Sequence, residues 1–245
     1  LNAGIAAFRA GEQPQILMVF EVGTATMMSA EGAVRSVTEV MEASGADFDP
    51  DAYIGAVNGY YTTTEGEMLS LPFNASTPVL WVNRDAFEAA GVDPDTDLST
   101  WQNVAETLTA LQDGGSTCPL TTAWQSWIHL ENFSAYHDVP FATQDNGFAG
   151  TDTALAFNGS AQVAHISAMG EWAADGKFFY AGRRNEGGAN FRAGECALFT
   201  ESSAGYAGIS SEADFAFDEH LDRIDEYLRL SSEIGYRYRG MDISI

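Results

Sequence analysis

The sequence predicts an α/β fold, and three observations carry that expectation. Strand-like and helix-like segments alternate along the chain. The strand candidates are short apolar runs, and the helix candidates are stripes at 3.6-residue spacing closed by capping residues and glycines. With 245 residues the chain can bury a substantial core, as one large domain or as two lobes.

Leu1–Ala10 reads as the middle of an amphipathic helix. Ile16–Phe20 is five apolar residues in a row, the pattern of a strand buried on both faces, and it stops on Glu21. Ala33–Glu42 reads as a helix with Val34, Val37 and Met41 on one face, Asp47–Asp51 as a turn around Pro50, and Met68–Phe73 as extended chain. Val79–Val82 is a strong strand, followed by Asn83 as the cap of a short helix, Arg84–Ala90, that Gly91 stops. Ser99 with Gln102 fits a capping box. The helix behind it carries Trp101, Val104, Ala105, Leu108 and Leu111, and ends at Gly114-Gly115. Leu120–Thr122 and Ala197–Phe199 read as strands, and Val163, Ile166, Met169 and Ala173 as the inner face of another helix. Gly187-Gly188 reads as a turn. Asp218–Ile245 changes character, with Arg223, Arg229, Arg237 and Arg239 supplying four of the eleven bases.

Thirty-five acids against eleven bases give a net charge of −24, a field that repels nucleic acid and anionic lipid and suits a solubilising surface. No run of ~18 apolar residues is long enough to span a membrane. Cys118 and Cys196 match no metal or redox spacing; they pair in an oxidising compartment or remain two buried thiols.

Enzyme signatures are absent from the sequence: no dinucleotide or phosphate-loop glycine pattern, no nucleophile elbow, no metalloprotease helix. The four histidines lack ligand spacing, and His165 reads as a surface or core side chain rather than a metal ligand. Asn74, Asn132 and Asn158 stand in N-x-S frames, which matter only in a glycosylating host. Three features look like recognition. Glu21 ends a strand where open α/β sheets place ligands, or is a helix N-terminal acid. Asn74–Thr77 is a polar tetrad, either a plain loop or a row of hydroxyls facing a cleft. Trp124 and Trp127 follow a strand, either as core or as an aromatic platform for a ligand's C–H face.

Taken in order, QILMVFEVGTATMM, LPFNASTPVLWVNRDAFEAAGVDP, TWQNVAETL, WQSWIHLENFSAYHDVPFATQDNGFAGTDTALAFN and FRAGECALFTESSAGYAGI resemble the periplasmic sn-glycerol-3-phosphate-binding proteins of ABC importers. These belong to the maltose-type solute-binding proteins. The likeness runs from about Leu1 to Ile209. The Asn83–Gly91 and Thr100-Trp101 stretches are generic to the larger group, whereas EVGTATMM, FNASTPVL, WQSWIHLENFSA and NGFAGTD are narrower.

The resemblance implies a two-lobed periplasmic-binding-protein fold of type II, maltose-binding-like, with the first lobe incomplete. Residues 1–73 would form the N-terminal lobe, 74–200 the second lobe, and 201–245 the return to the first, with 218–245 an atypical tail. It implies a non-catalytic, monomeric receptor, periplasmic or extracellular, without cofactor or metal. Such a receptor captures sn-glycerol-3-phosphate or a glycerophosphodiester and delivers it to membrane permease subunits. Carried onto this sequence, the ligand contacts fall on Glu21 for the glycerol hydroxyls, Trp124 beneath the glycerol carbons, and Ser76 and Ser202 toward the phosphate. The chain opens inside a helical pattern and reads as a fragment, and no arginine for the phosphate end can be placed in Asp218–Ile245. The 245-residue chain is therefore expected to bind glycerol-3-phosphate weakly or not at all. Two other readings stand beside this one: a binder of neutral sugars in the same group, and a carbohydrate-active hydrolase pairing Glu21 with Glu131 or Glu201.

Overall fold

The computed structural model describes residues 2–218, apart from 21, 22, 24–26, 28–31, 64, 65, 148 and 151. The chain divides into two compact units, Leu1–Ala75 and Ser76–Ile245.

In the first unit α1 (Asn2–Ala10) buries no residue. The run Ile16–Phe20 departs from its expectation: it forms no strand, and Ile16 is 90% and Phe20 74% exposed. A strand buried on both faces exists only between neighbouring strands, and the one pairing among the described residues of this unit is the bridge Thr62–Met68. The next helix, α2 (Val37–Ser44), starts later than the apolar spacing suggested, because Ser36 caps it and accepts from Glu39 N–H at 3.1 Å. Ser36-Val37-Thr38-Glu39 is the capping-box spacing, a stronger start signal than Val34. The turn at Pro50 is one 3₁₀ turn, Pro50–Ala52, before α3 (Gly55–Tyr60). Met68 is the sole buried hydrophobic residue described here.

The second unit is built on a four-stranded sheet in the order β1-β4-β2-β3: β1 (Pro78–Val82), β2 (Leu120–Thr122), β3 (Phe178–Phe179) and β4 (Leu198–Ser202). β4 pairs antiparallel with β1 and parallel with β2, which also pairs parallel with β3. Residues on β4 alternate between the two faces, as a strand's side chains must. Leu198 joins one core with Val82, Leu120, Phe87 of α4 (Arg84–Ala89) and Val104, Leu108 and Leu111 of α5 (Trp101–Asp113). Phe199 joins the other with Trp81, Ala123 and residues of helices on the opposite side.

Asn83 caps α4 as expected, accepting from Ala86 N–H at 2.9 Å. For α5 the cap is Thr100, accepting from Asn103 N–H, rather than Ser99. Gln102 reaches forward to Glu106 at 2.7 Å and closes no box. On α6 (Ser160–Ala174) the buried face is Gln162, His165 and Met169, while Val163 and Ile166 are exposed. The polar pair wins the inner face because each has partners there: Gln162 donates to Ser134 Oγ and Pro140 O, and His165 meets His129. Gly187 and Gly188, expected as a turn, lie buried inside α7 (Glu186–Arg192). A Cβ at Gly187 would stand 2.4 Å from Thr122 O, so glycine is what lets α7 lie against β2.

Cys118 and Cys196 form a disulfide, which decides the alternative left open above. It ties together the approaches to β2 and β4, beside the bonds Ala197 N–H to Cys118 O and Leu198 N–H to Pro119 O. Closing a 78-residue separation contributes about 4 kcal/mol by the loop-entropy argument. After β4, α8 (Tyr206–Glu212) packs on α7, and Ala216–Asp218 run beside β1 through Arg84 N–H to Ala216 O and Asp218 N–H to Val82 O.

The contrast in burial between the units sets an expected result. In hydrogen exchange, amides of β1, β2 and β4 should outlast those of α1 and α2 by a wide margin. Equal protection in the two units would contradict this account of where the core lies.

Candidate functional site

The pairing of β4 with its two neighbours gathers three separated stretches at one end of the sheet. Pro78 stands opposite Ser202, and Thr122 opposite Thr200. The residues just before β1, just after β2 and at the end of β4 are therefore neighbours: Ser76-Thr77, Ala123-Trp124 and Glu201-Ser202-Ser203. For the parallel strands this is the carboxyl end, the end at which open α/β sheets take ligands. Thr77 and Ser203 lock the edge, Thr77 O accepting from Ser203 N–H at 2.8 Å and Ser203 Oγ from Thr77 N–H at 3.2 Å. Thr77 Oγ1 also meets Tyr136 Oη at 3.2 Å. Thus Ser76, Trp124 and Ser202 arrive at one edge, while Glu21 lies outside the described residues.

Trp124 is held in the left-handed region, φ 45°, a conformation that costs a bulky side chain on the order of 1 kcal/mol or more. It is enforced from both sides. Ala123 N–H donates to Thr200 O at 2.9 Å, Trp124 N–H to Arg184 O at 2.9 Å, and Trp124 O accepts from Ile128 N–H at 3.0 Å. The chain then runs into a widened helical turn, Trp127–Asn132, in which the buried Asn132 side chain donates to Trp127 O. Of the two readings of Trp124, the structure has it partly exposed at 39%, on a rigid backbone, and not in the core.

Ser202 Oγ accepts from Ala204 N–H at 3.1 Å, which leaves the hydroxyl hydrogen to donate elsewhere. Its neighbour Glu201 is 2% exposed. Glu201 Oε1 accepts from Ser202 N–H at 2.7 Å, and Oε2 has no hydrogen bond of good geometry among the described residues. Burial pushes this carboxyl up to about 7, offset in part by the Ser202 N–H, the charge of Arg192 and the side chains of Trp124 and Asn185. The loop bonded to Trp124 carries Arg183 and Arg184. Both are exposed and neither has an acid partner among the described residues, whereas Arg84, Lys177 and Arg192 of this unit are all ion-paired.

The family and the fold are shown by likeness to known proteins. The model of the bacterial extracellular solute-binding proteins matches residues 1–226. The chain belongs to this family. It is 47% identical over 218 residues to the sn-glycerol-3-phosphate-binding periplasmic protein UgpB of Pectobacterium atrosepticum, covering 89% of this chain and 49% of that protein. Against the protein of the same name in Escherichia coli (strain K12) it is 46% identical, covering 89% and 50%. The chain spans about half the length of these curated relatives. Among solved structures it is similar to UgpB from Mycobacterium tuberculosis in complex with glycerophosphocholine, with TM-score 0.71, 19% identity, and 88% and 52% of the two chains covered. It is also similar to maltose-bound MalE3 of T. maritima, with TM-score 0.60, 15% identity, and 85% and 51% covered. The mixed α/β fold is thus that of the maltose-binding-like periplasmic proteins, as the motifs implied.

Behind the edge, this solute-binding chain carries a polar network that no sequence signal announced. Thr200 Oγ1 donates to Thr122 Oγ1 at 2.7 Å, and Thr122 Oγ1 to Ala123 O at 3.1 Å. With both hydroxyl hydrogens used, His129 Nε2 is the donor to them at 3.0 Å, so its Nδ1 accepts from His165 Nε2 at 3.2 Å. Phe133 stacks on His165 at 4.0 Å, and Trp101 lies 4.5 Å from it. Both rings are kept neutral: burial lowers His129 to about 3 and His165 to about 4. Only side-chain pairing across 36 and 71 residues reveals this, and no spacing rule reports such distances. Glu131, weighed above as a catalytic acid, sits in the widened turn with its carboxyl raised by burial.

The signs of these shifts set a pH profile. Because both imidazoles lie below 6.5 in the fold, the unfolded chain takes up protons first; their stabilisation is whole above about 6.5 and is lost as pH falls toward about 4 and about 3. Glu201 acts oppositely, its contribution whole below 4.5 and lost as pH rises to about 7. Three imidazoles, His137 being lowered by burial as well, oppose two carboxyls, Glu131 and Glu201, between 4.5 and 6.5, so denaturant unfolding should show stability rising with pH across that window. A flat or falling profile there would contradict the buried neutral pair.

Proposed function

We propose that the chain is the ligand-capturing part of a periplasmic receptor that serves an ABC importer without catalysis, and that its ligand is sn-glycerol-3-phosphate or a glycerophosphodiester. The observation that carries this reading is the convergence of Ser76, Trp124 and Ser202 on one sheet end in a chain 47% identical to a glycerol-3-phosphate-binding protein. In this reading the indole of Trp124 covers the glycerol carbons, and the Ser76 and Ser202 hydroxyls turn to the phosphate. Glu21 takes the glycerol hydroxyls. The permease subunits are the protein partner.

The loop bonded to Trp124 through the Arg184 carbonyl carries two exposed cations, Arg183 and Arg184, that hold no acid among the described residues. In a chain of net charge −24, two exposed arginines on the loop whose backbone bonds Trp124 favour an anionic ligand over a neutral sugar, though an exposed tryptophan on a rigid backbone suits either.

Isothermal calorimetry of the full-length protein against glycerol-3-phosphate, glycerophosphocholine and maltose decides between them. Saturable binding of a phosphate ester and none of maltose is expected; the reverse order would replace this reading with the sugar one. Release of a hydrolysed product would restore the hydrolase. Trp124→Ala should weaken binding by about 1–3 kcal/mol through lost apolar contact while leaving the melting temperature close to that of the parent.

A further inference from the structure

Glu201 is the one buried acid among the described residues of a chain with 35 acids. It occupies the last position of β4 before Ser202, at the carboxyl end where the site lies. Its side chain is enclosed beneath the turn Ser203–Gly205, where a Cβ at Gly205 would stand 2.8 Å from Glu201 Cγ. Oε1 is committed to the Ser202 N–H, and Oε2 is buried with no hydrogen bond of good geometry among the described residues, the Trp124 and Asn185 side chains offsetting only part of the burial. A carboxylate in that position leaves a charged oxygen unsolvated, whereas a carboxylic acid carries its proton on Oε2 and removes the charge.

The surroundings compensate a negative charge only in part: the Ser202 N–H, the charge of Arg192 and the side chains of Trp124 and Asn185 favour the carboxylate, and burial outweighs them. β1 and β2 bring no ionisable side chain. From α7 come Glu186 and Arg192, and from α8 comes Glu212, which already holds Arg192 at 2.7 Å. On the other face of the strand Thr200 leads to the neutral His129. A phosphate ester arriving at the Ser202 hydroxyl therefore meets, one residue away, either a second negative charge or a neutral acid.

We propose that Glu201 is the proton-linked residue of this site: a phosphate ester binds beside Ser202 to the neutral carboxylic acid, and binding at neutral pH draws a proton from solvent onto Glu201 Oε2. The inference rests on the phosphate-ester reading above. A neutral sugar would draw no proton. The covalent change is one O–H bond formed on Oε2, its proton supplied by water or buffer.

The test is calorimetry of the full-length protein with glycerophosphocholine at pH 7.5, in two buffers of different ionisation enthalpy. The diester is chosen because its phosphate does not titrate near neutrality, so any proton taken up belongs to the protein. Net proton uptake is expected, with affinity falling about tenfold from pH 6 to pH 8, and Glu201→Gln should abolish both the uptake and the pH slope. Binding without uptake, or with undiminished uptake in Glu201→Gln, overturns the proposal and leaves the phosphate-ester reading standing. A lowered melting temperature with an unchanged pH slope assigns Glu201 a structural role only. Carboxyl carbon NMR of the ligand-free protein decides even where the variant does not fold. Glu201 should titrate near 7, and an ordinary carboxylate value overturns the proposal. Absence of heat with every phosphate ester removes both this inference and the reading beneath it.

Discussion

Everything at the candidate site depends on the placement of β4 between an antiparallel β1 and a parallel β2. That arrangement sets Pro78 against Ser202 and Thr122 against Thr200, so residues more than 120 positions apart in sequence share one edge. The opposite end of the same strands is fastened by the Cys118–Cys196 disulfide. A slip of one residue would turn every side chain of β4 to the other face, taking Phe199 and Leu198 out of their respective cores. The register is therefore fixed by two hydrophobic clusters and a covalent link, and the site inherits its rigidity from them. A preorganised edge of this kind loses little freedom on binding, which is where affinity for a small polar ligand is gained.

The strands and helices of the second unit were legible in the sequence where local chemistry specified them. Leu120–Thr122 is bounded as expected, and Asn83, Gly91 and the stripe of α5 behave as their types dictate. Errors arose where tertiary partners outweigh local pattern. Gln162 and His165 take the inner face of α6 from Val163 and Ile166 because hydrogen bonds await them, and Gly187-Gly188 is a helix pressed on a strand rather than a turn. Ile16–Phe20 reads as a strand by composition, yet a strand is a statement about neighbours, and none pairs with it among the described residues. At the site, Ser76, Trp124 and Ser202 were visible through motifs. Glu201 was visible only as a possible hydrolase acid, and Arg183 with Arg184 not at all, because burial and pairing distinguish them rather than residue type.

Charge is distributed with a consistent logic around this edge. The chain carries a large excess of acids, yet the loop bonded to this edge exposes two arginines without acid partners among the described residues, and the buried acid sits where burial favours the neutral form. The histidines behind it are likewise held neutral, their hydrogens ordered through Thr200 and Thr122 to the Ala123 carbonyl at the peptide that precedes Trp124. The left-handed backbone of Trp124 is thus supported by an uncharged, fully directed hydrogen-bond chain on one side and by the Arg184 carbonyl on the other.

In the proposed reading, the carboxyl end of β2 and β4, with the entry to β1, is the surface that takes the ligand. Amide chemical shifts of the full-length protein, recorded as glycerophosphocholine is added, test it most directly. The account predicts that within Ser76–Ile245 the perturbed amides cluster at Ser76-Thr77, Ala123–Gln125, Arg183–Asn185 and Glu201–Ala204. Perturbations concentrated instead at the disulfide end, around Cys118, Cys196 and Asn83, with none at Trp124 or Ser202, would contradict it.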